Sequence, residues 1–373
     1  GATVDITYTA GGADIIRVED SQDNVSPAVV TFANAITATA LRVGALDGSK
    51  AGAALFEEAV TIPTITVIGG NHTDEDSTVT FNKAVTSSSG ITLDDNTGDA
   101  KIIFAENNSV TIAGTIDGAA DNEGTLQITG TLKTFSNNIG DTYRINVLDI
   151  NAATSFSSSV ATTTTAIDGA INTAASINVS STSAINANVT TTGTQTYTGA
   201  VTLNADVILT TTDNNISFGS TINSLDTTYR DLSLVTGSGN VSVTGIIGAD
   251  DKLDVLTVNN TGTLTLSAAT TVNTLTLTHT GGTTIGGTLT ATTINLTDTT
   301  DAANITFNGN VSATTLNTAA EGYNVIFNGT TSTITNLVTF SNSGSVTFGN
   351  GTGDTTTFTG GVTATAPSQV NLA

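Results

Sequence analysis

An aromatic ring followed four residues later by Val or Ile sets the beat of this chain. The pair occurs at Phe32/Ile36, Phe56/Val60, Phe81/Val85, Phe135/Ile139, Phe156/Val160, Phe218/Ile222, Phe307/Val311 and Phe358/Val362, and Tyr197/Val201 follows the same rule. Eight of the twelve Phe residues obey it in a chain with only 5% aromatics, so the ring is placed rather than scattered. Phe32, Phe56, Phe81 and Phe104 succeed one another at 24, 25 and 23 residues. A period of roughly 20 to 50 residues marks a repeat architecture, in which each unit buries its apolar face only against its neighbours.

The stretch Val79-Thr80-Phe81-Asn82-Lys83-Ala84-Val85-Thr86 reads as two short strands around a small-residue corner, and the Phe residues from Phe32 to Phe104 are expected to point inward and stack from coil to coil. Between the beats, Ile62–Val67, Ser88–Leu93 and Thr125–Ile128 alternate apolar residues with Thr or Ser, the period-two mark of a strand with one buried face. From residue 264 onward Leu264/Leu266, Leu275/Leu277 and Leu289 carry the beat in place of Phe. No segment has a helical period. The chain is rich in β-branched residues (80 of the 373 are Thr), which suit a pleated, half-buried surface.

These patterns predict an all-β fold: an elongated parallel β-helix, or β-solenoid, with coils of about 20–25 residues. The alternative is a series of tandem antiparallel β-sandwich domains. Asn308-Gly309 between two alternating segments is a hairpin signal and favours that alternative locally. Sandwiches need about seven strands per 100 residues and commonly a Trp or Tyr core marker, and this chain has no Trp. Composition divides it into a charged β-repeat region, 1–150, with 20 of the 32 acids and 7 of the 9 bases, and a Thr-rich β-repeat region, 151–373, read as continuous with the first.

The formal net charge of −23 sets limits on partners. Such a surface repels nucleic acid and anionic membrane. No apolar run approaches the roughly 18 residues of a spanning helix, so no membrane insertion is expected. Zero Cys rules out a disulfide framework. Met is absent altogether, as initiator removal or signal-peptide cleavage would leave it.

Gln195–Leu203, followed by Asn215–Ile222 and then Leu253–Leu266, resembles the β-strand repeats of filamentous-haemagglutinin-like and autotransporter-like bacterial surface proteins, and similar repeats of S-layer-like proteins. The resemblance implies a β-helical shaft, export to the cell surface and an extracellular location, and it brings no catalytic motif. The chain shows no secretion domain, membrane barrel or anchoring module that would fix the subfamily.

The acids gather at corners: Glu19–Asn24, Asp74-Glu75-Asp76, Asp94–Asp99 and Asp117–Gly124. Asp, Asn and Gly are turn residues in their own right, but closely spaced oxygen ligands around a Gly are also what calcium requires. Asp94, Asp95, Asn96 and Asp99 are the first candidate ligands, and Asp117, Asp121 and Glu123 the second set. Neither has the closing Glu or the flanking helices of an EF-hand. Asp74/Glu75/Asp76 beside His72, and Asp250/Asp251/Asp254, are weaker candidates. His72 and His279 are the only imidazoles, His279 lies on the Thr-bearing face of its strand, and no Gly-x-Ser-x-Gly elbow supports a triad.

The chemistry therefore predicts a structural protein with no catalytic residues and no cofactor other than calcium. It would self-associate into a homopolymer or lattice through its termini, since Pro367–Ala373 does not read as a polar cap over an open strand edge. Cell-surface glycans are the second class of partner. Two other readings remain: a Thr-ladder protein that binds ice or another flat surface, motivated by Thr274-Thr276-Thr278-Thr280, and a β-helical polysaccharide-degrading enzyme using paired carboxylates.

Overall fold

Among the described residues every regular element of the computed structural model is a β-strand, and each of two units winds as a parallel β-solenoid, about 15 turns in all. The structure describes residues 2–7, 15–20, 27–46, 49–105, 110–112, 114–130 and 133–372, so positions 21–24 of the first acidic corner lie outside the described residues. Among the described residues no helix is long and apolar enough to cross a membrane. The chain forms two compact units, Gly1–Thr182 and Ser183–Ala373, while the change in composition near residue 150 falls inside the first.

The motif around Phe81 shows how sequence becomes coil. Ser77–Phe81 is a strand, Asn82-Lys83-Ala84 turns the corner, and Val85–Ser87 begins the next face. Phe81 is 1% exposed and Val85 0%. With Thr64–Ile68 before them, these strands make one three-sided coil. The next coil is Gly90–Asp94, Ala100–Phe104 and Val110–Ile112, and each strand lies parallel to its counterpart one coil earlier. In-register pairing puts identical roles in columns. Ile65 faces Ile91 and Phe81 faces Phe104, while Thr66 and Thr92 face each other outside. Because the side-chain period is two, slipping one residue would turn every inward residue out, so the alternation fixes the register.

In the first unit the inward column is aromatic. The ring centroids of Phe32, Phe56, Phe81 and Phe104 are 4.6, 5.2 and 5.7 Å apart in turn, with planes within 21° of parallel. Beyond Phe104 the same column holds Ile128, Ile150 and Ile167. The rings then move to the third face, where Phe135 and Phe156 stack at 5.2 Å after an edge-on meeting of Phe104 and Phe135. That change of face is why the Phe spacing loses its regularity. One strand breaks the parallel rule: Ala2–Thr7 pairs antiparallel with Ile15–Asp20, covering an edge of the first coil.

The second unit keeps one inward column through nine coils: Tyr197, Phe218, Val243, Leu266, Ile285, Phe307, Phe327, Phe348 and Leu372. Of the Leu residues that continue the beat, Leu266 takes the place of Phe in this column, while Leu275, Leu277 and Leu289 lie on another sheet. The hairpin signal at Asn308-Gly309 gives no hairpin. Asn304–Phe307 pairs in parallel with both Gly282–Ile285 and Asn324–Phe327, so Asn308-Gly309 is a corner. Glycine is required there because a Cβ at 309 would lie 2.2 Å from the Gly287 carbonyl oxygen of the previous coil. The last coil, Thr355–Phe358, Val362–Thr363 and Gln369–Leu372, leaves Val362, Val370 and Leu372 exposed at 47%, 45% and 83%.

Candidate functional site

The acidic corners of neighbouring coils stack in the first unit. Asp94 ends the strand Gly90–Asp94, residues 95–99 turn the corner, and Glu123 opens the strand Glu123–Ile128 of the next coil. The Asp94–Asp99 corner sits on the previous one. Gly69 N–H donates to the Asp94 carbonyl at 2.9 Å, and the N–H groups of Thr97 and Gly98 donate to the Gly70 carbonyl at 3.0 and 2.9 Å. Packed this way, carboxylates from three coils crowd together.

Most of them hold backbone. Asp95 Oδ1 accepts from Ala100 N–H at 2.7 Å and its Oδ2 from Gly124 N–H, one coil on, at 2.8 Å. Asp76 Oδ1 accepts from Asp99 N–H at 2.9 Å. Asp117 Oδ1 accepts from the N–H groups of Asp141 and Thr142 at 2.7 and 3.3 Å, and Asp121 Oδ1 from Arg144 N–H at 2.9 Å. Glu123 Oε2 accepts from Ala120 N–H at 2.9 Å. Asn96 donates its N–H to the Gly98 carbonyl at 3.2 Å inside the turn. The corner acids are thus acceptors for N–H groups that no strand pairing can satisfy.

Crowding leaves an electrostatic mark. Burial raises the carboxyls of Asp94, Asp95, Asp99 and Glu123 above the ordinary range. Repulsion from Asp94 and Asp76 adds to this at Asp95, against the opposing effect of its two N–H bonds. Asp95 and Asp76 do the same at Asp99, and Asp94 and Asp95 at Glu123. The cluster therefore unites the first candidate set with Glu123 and with Asp76, which the sequence ranked low. Asp117 and Asp121 are tied instead to the following coil. Glu75, also ranked low, is 1% exposed, and its Oε2 accepts from Asn71 N–H at 3.1 Å.

Among the described residues no three His, Asp or Glu side chains converge closely enough to hold a metal ion.

The second unit repeats the device, mostly with amides. Asp206 Oδ1 accepts from Asp231 N–H at 3.0 Å, and Asp231 Oδ1 from Val255 N–H at 3.1 Å. Asn215 Oδ1 accepts from Asn240 N–H and Asn240 Oδ1 from Thr263 N–H, both at 2.8 Å, and Asn310 Oδ1 from Thr331 N–H at 2.9 Å. Asp254 accepts from Asn273 Nδ2 at 2.6 Å, and Asp250 from Asn223 Nδ2 at 3.3 Å. His72 is exposed on its corner, and His279 is exposed at a bulge with φ of 56°. Set beside known proteins, the chain matches no family model, no curated protein and no solved structure.

Proposed function

We propose that this chain is a non-enzymatic structural protein of the cell exterior, a self-assembling β-solenoid subunit of a surface layer, filament or adhesin shaft. The observation that carries the reading is where the polar groups go. Corner after corner, Asp and Asn side chains bond the backbone of the next coil. A chain that commits its carboxylates to holding its own coils together is built for shape. The raised carboxyls of the acidic corner have a sufficient cause in burial and mutual repulsion, and the two imidazoles are exposed far apart in the chain, His72 on a corner and His279 at a strand bulge. A β-repeat solenoid is compatible with the filamentous-haemagglutinin-like, autotransporter-like and S-layer-like surface proteins that the sequence resembles, and this reading places the chain with them.

In this reading copies of the chain associate end to end, and one place for it is the coil of Gln369–Leu372. Val362, Val370 and Leu372 are exposed there, and a strand laid against Gln369–Leu372 in register would extend the columns of Val346 and Phe348 by one coil. A second copy is the occupant in this reading. Calcium enters in this reading as an ion at the crowded acidic corner of Asp94, Asp95, Asp99 and Glu123. Electron microscopy and sedimentation of purified protein at increasing concentration, with calcium and with a chelator, test the proposal. Filaments, sheets or end-joined particles are expected. A monomer at every concentration under both conditions overturns it.

A further inference from the structure

Four successive strands of the second unit, Thr270–Thr280, Leu289–Thr299, Val311–Thr318 and Thr331–Ile334, bring outward hydroxyls into register. Thr271 lies opposite Thr290, Thr290 opposite Ser312, and Ser312 opposite Thr333. A second row, Thr292, Thr314 and Thr335, runs beside the first, its coils joined by bonds from Thr335 N–H and Asn336 N–H to the carbonyls of Ala313 and Thr314. Between the rows Val272, Ala291 and Ala313 alternate inward on the same strands and lie buried beneath the trough, 2%, 7% and 6% exposed. The result is an open trough of about 260 Å³. Lys252, one coil before Thr271, lines it, with its Nζ 5.0 Å from the centre of the Tyr229 ring.

The hydroxyls of the trough differ from those around it. On the neighbouring columns polar groups bond one another: Asn295 Nδ2 to Thr276 Oγ1, Asn317 Nδ2 to Asn295 Oδ1, Thr278 to Thr297, and Asn336 Nδ2 to Thr315 Oγ1. None of the seven trough hydroxyls bonds another of the described residues. Six of the seven are exposed, and Thr271 is half-buried. They form two hydrogen-bonding rails along the solenoid axis.

We propose that this trough binds a neutral, linear, β-linked polysaccharide lying along the solenoid axis. The rails repeat at the coil spacing, about 4.8 Å. An extended β-linked sugar chain advances by nearly that distance per sugar, carrying hydroxyls along both edges and C–H groups on its faces. Each sugar then meets one coil, its edges on the two rails of hydroxyls. An extended peptide repeats same-side groups every ~6.8 Å and falls out of step within two coils. A polyanion is disfavoured by the net charge of −23 and by Asp250, Asp251 and Asp254 close to Lys252 in the chain. The proposal goes beyond the assembly reading, and each can fail alone, because the trough is complete within one copy.

Calorimetric titration of the monomeric protein with cellotetraose and chitotetraose, and with their dimers, tests it. At least one tetramer is expected to bind, and more tightly than its dimer, because the tetramer spans four coils. The triple variant Thr290→Val, Ser312→Ala, Thr314→Val removes three rail hydroxyls and is expected to weaken binding about tenfold or more. Thr284→Val, an exposed hydroxyl on another face of the same coils, is expected to bind as the unaltered chain does. Circular dichroism checks that each variant folds. Should the triple variant fail to fold, Thr292→Val with Thr335→Val tests the other rail. The proposal is overturned if the folded protein binds neither tetramer, if dimer and tetramer bind equally, or if Thr284→Val weakens binding as much as the rail variants.

Discussion

Coils of the two units solve one geometric problem with different chemistry. Around Phe81 the first unit fills its interior with stacked rings 5.2 and 5.7 Å apart and holds its corners with carboxylates such as Asp95 and Asp117. Around Leu275, on another face of its coils, the second unit packs aliphatic columns, Leu256–Leu275–Ile294–Leu316 and Val258–Leu277–Leu296, beside its own ring stacks at Tyr197–Phe218 and Phe307–Phe327, and holds its corners chiefly with Asn and Thr. The backbone ladder is indifferent to this exchange. Parallel pairing fixes where a group must sit, and any inward apolar residue or outward acceptor of the right reach will serve. The cost of the choice appears only in how each unit responds to a cavity, to pH and to charge.

The largest difference is expected in the core. Phe81→Ala should destabilise the first unit by about 3–5 kcal/mol, because the cavity also breaks two ring stacks. Leu275→Ala should cost the second about 2–5 kcal/mol, toward the lower end, since Leu256 and Ile294 can close partly over it. Chemical denaturation followed by hydrogen exchange of peptides from each unit measures both. If Leu275→Ala proves the costlier, the ring column is not the tighter core.

The pH response comes next. Asp94, Asp95, Asp99 and Glu123 have carboxyls raised in the folded first unit, chiefly by burial. A raised acid binds protons more tightly folded than unfolded. The stability it contributes is full below its unfolded pKa and is lost as pH rises through its folded one. The first unit should therefore grow more stable as pH falls from neutral toward the ordinary carboxylate range. The second unit, where Asp231 is the one carboxyl raised among the described residues, should change less. Exchange protection of the two units measured from pH 7 to 4.5 checks this, and equal slopes would remove the electrostatic distinction between them.

How much of this the sequence reveals depends on whether a pattern survives the irregular coil length. The Phe beat survives, because the aromatic and the Val or Ile after the corner are a local pair whatever lies between coils. The corner partners do not. Asp117 bonds the N–H of Asp141 and Asp206 that of Asp231, at 24 and 25 residues, and only the folded register identifies those pairs. Read locally, Asp117 and Asp121 look as ready for calcium as Asp94 does. The trough is hidden for the same reason. Thr271, Thr290, Ser312 and Thr333 are separated by 19, 22 and 21 residues among 80 Thr, so no fixed period exposes the rail.

A smaller effect separates a neutral corner from a bare one. Asn240 Oδ1 accepts from Thr263 N–H at 2.8 Å and from Thr263 Oγ1 at 2.9 Å on an exposed corner. Asn240→Ala removes both bonds, but water can replace the lost acceptor. The expected cost is about 1 kcal/mol, with no dependence on pH between 5 and 8. A cost several times larger would mean that the corner is drier than its exposure suggests.

The smallest effect is the most telling about charge. In Asp117 a single oxygen, Oδ1, accepts both N–H bonds from the next coil. Asp117→Asn keeps an acceptor at that position and removes only the negative charge. If the first unit uses its acids as it uses its amides, the variant should lie within about 0.5 kcal/mol of the unaltered chain, on the stabilising side, because it lowers a net charge of −23 by one. The measurement is the denaturation midpoint of the first unit, taken in chelator and again in millimolar calcium. A screening ion acts on the whole acidic surface, so its benefit should be nearly the same in the variant. If Asp117→Asn is neutral in chelator yet loses most of the calcium effect, the carboxylate is a ligand, and the charged corners of the first unit do something that the amide corners of the second cannot.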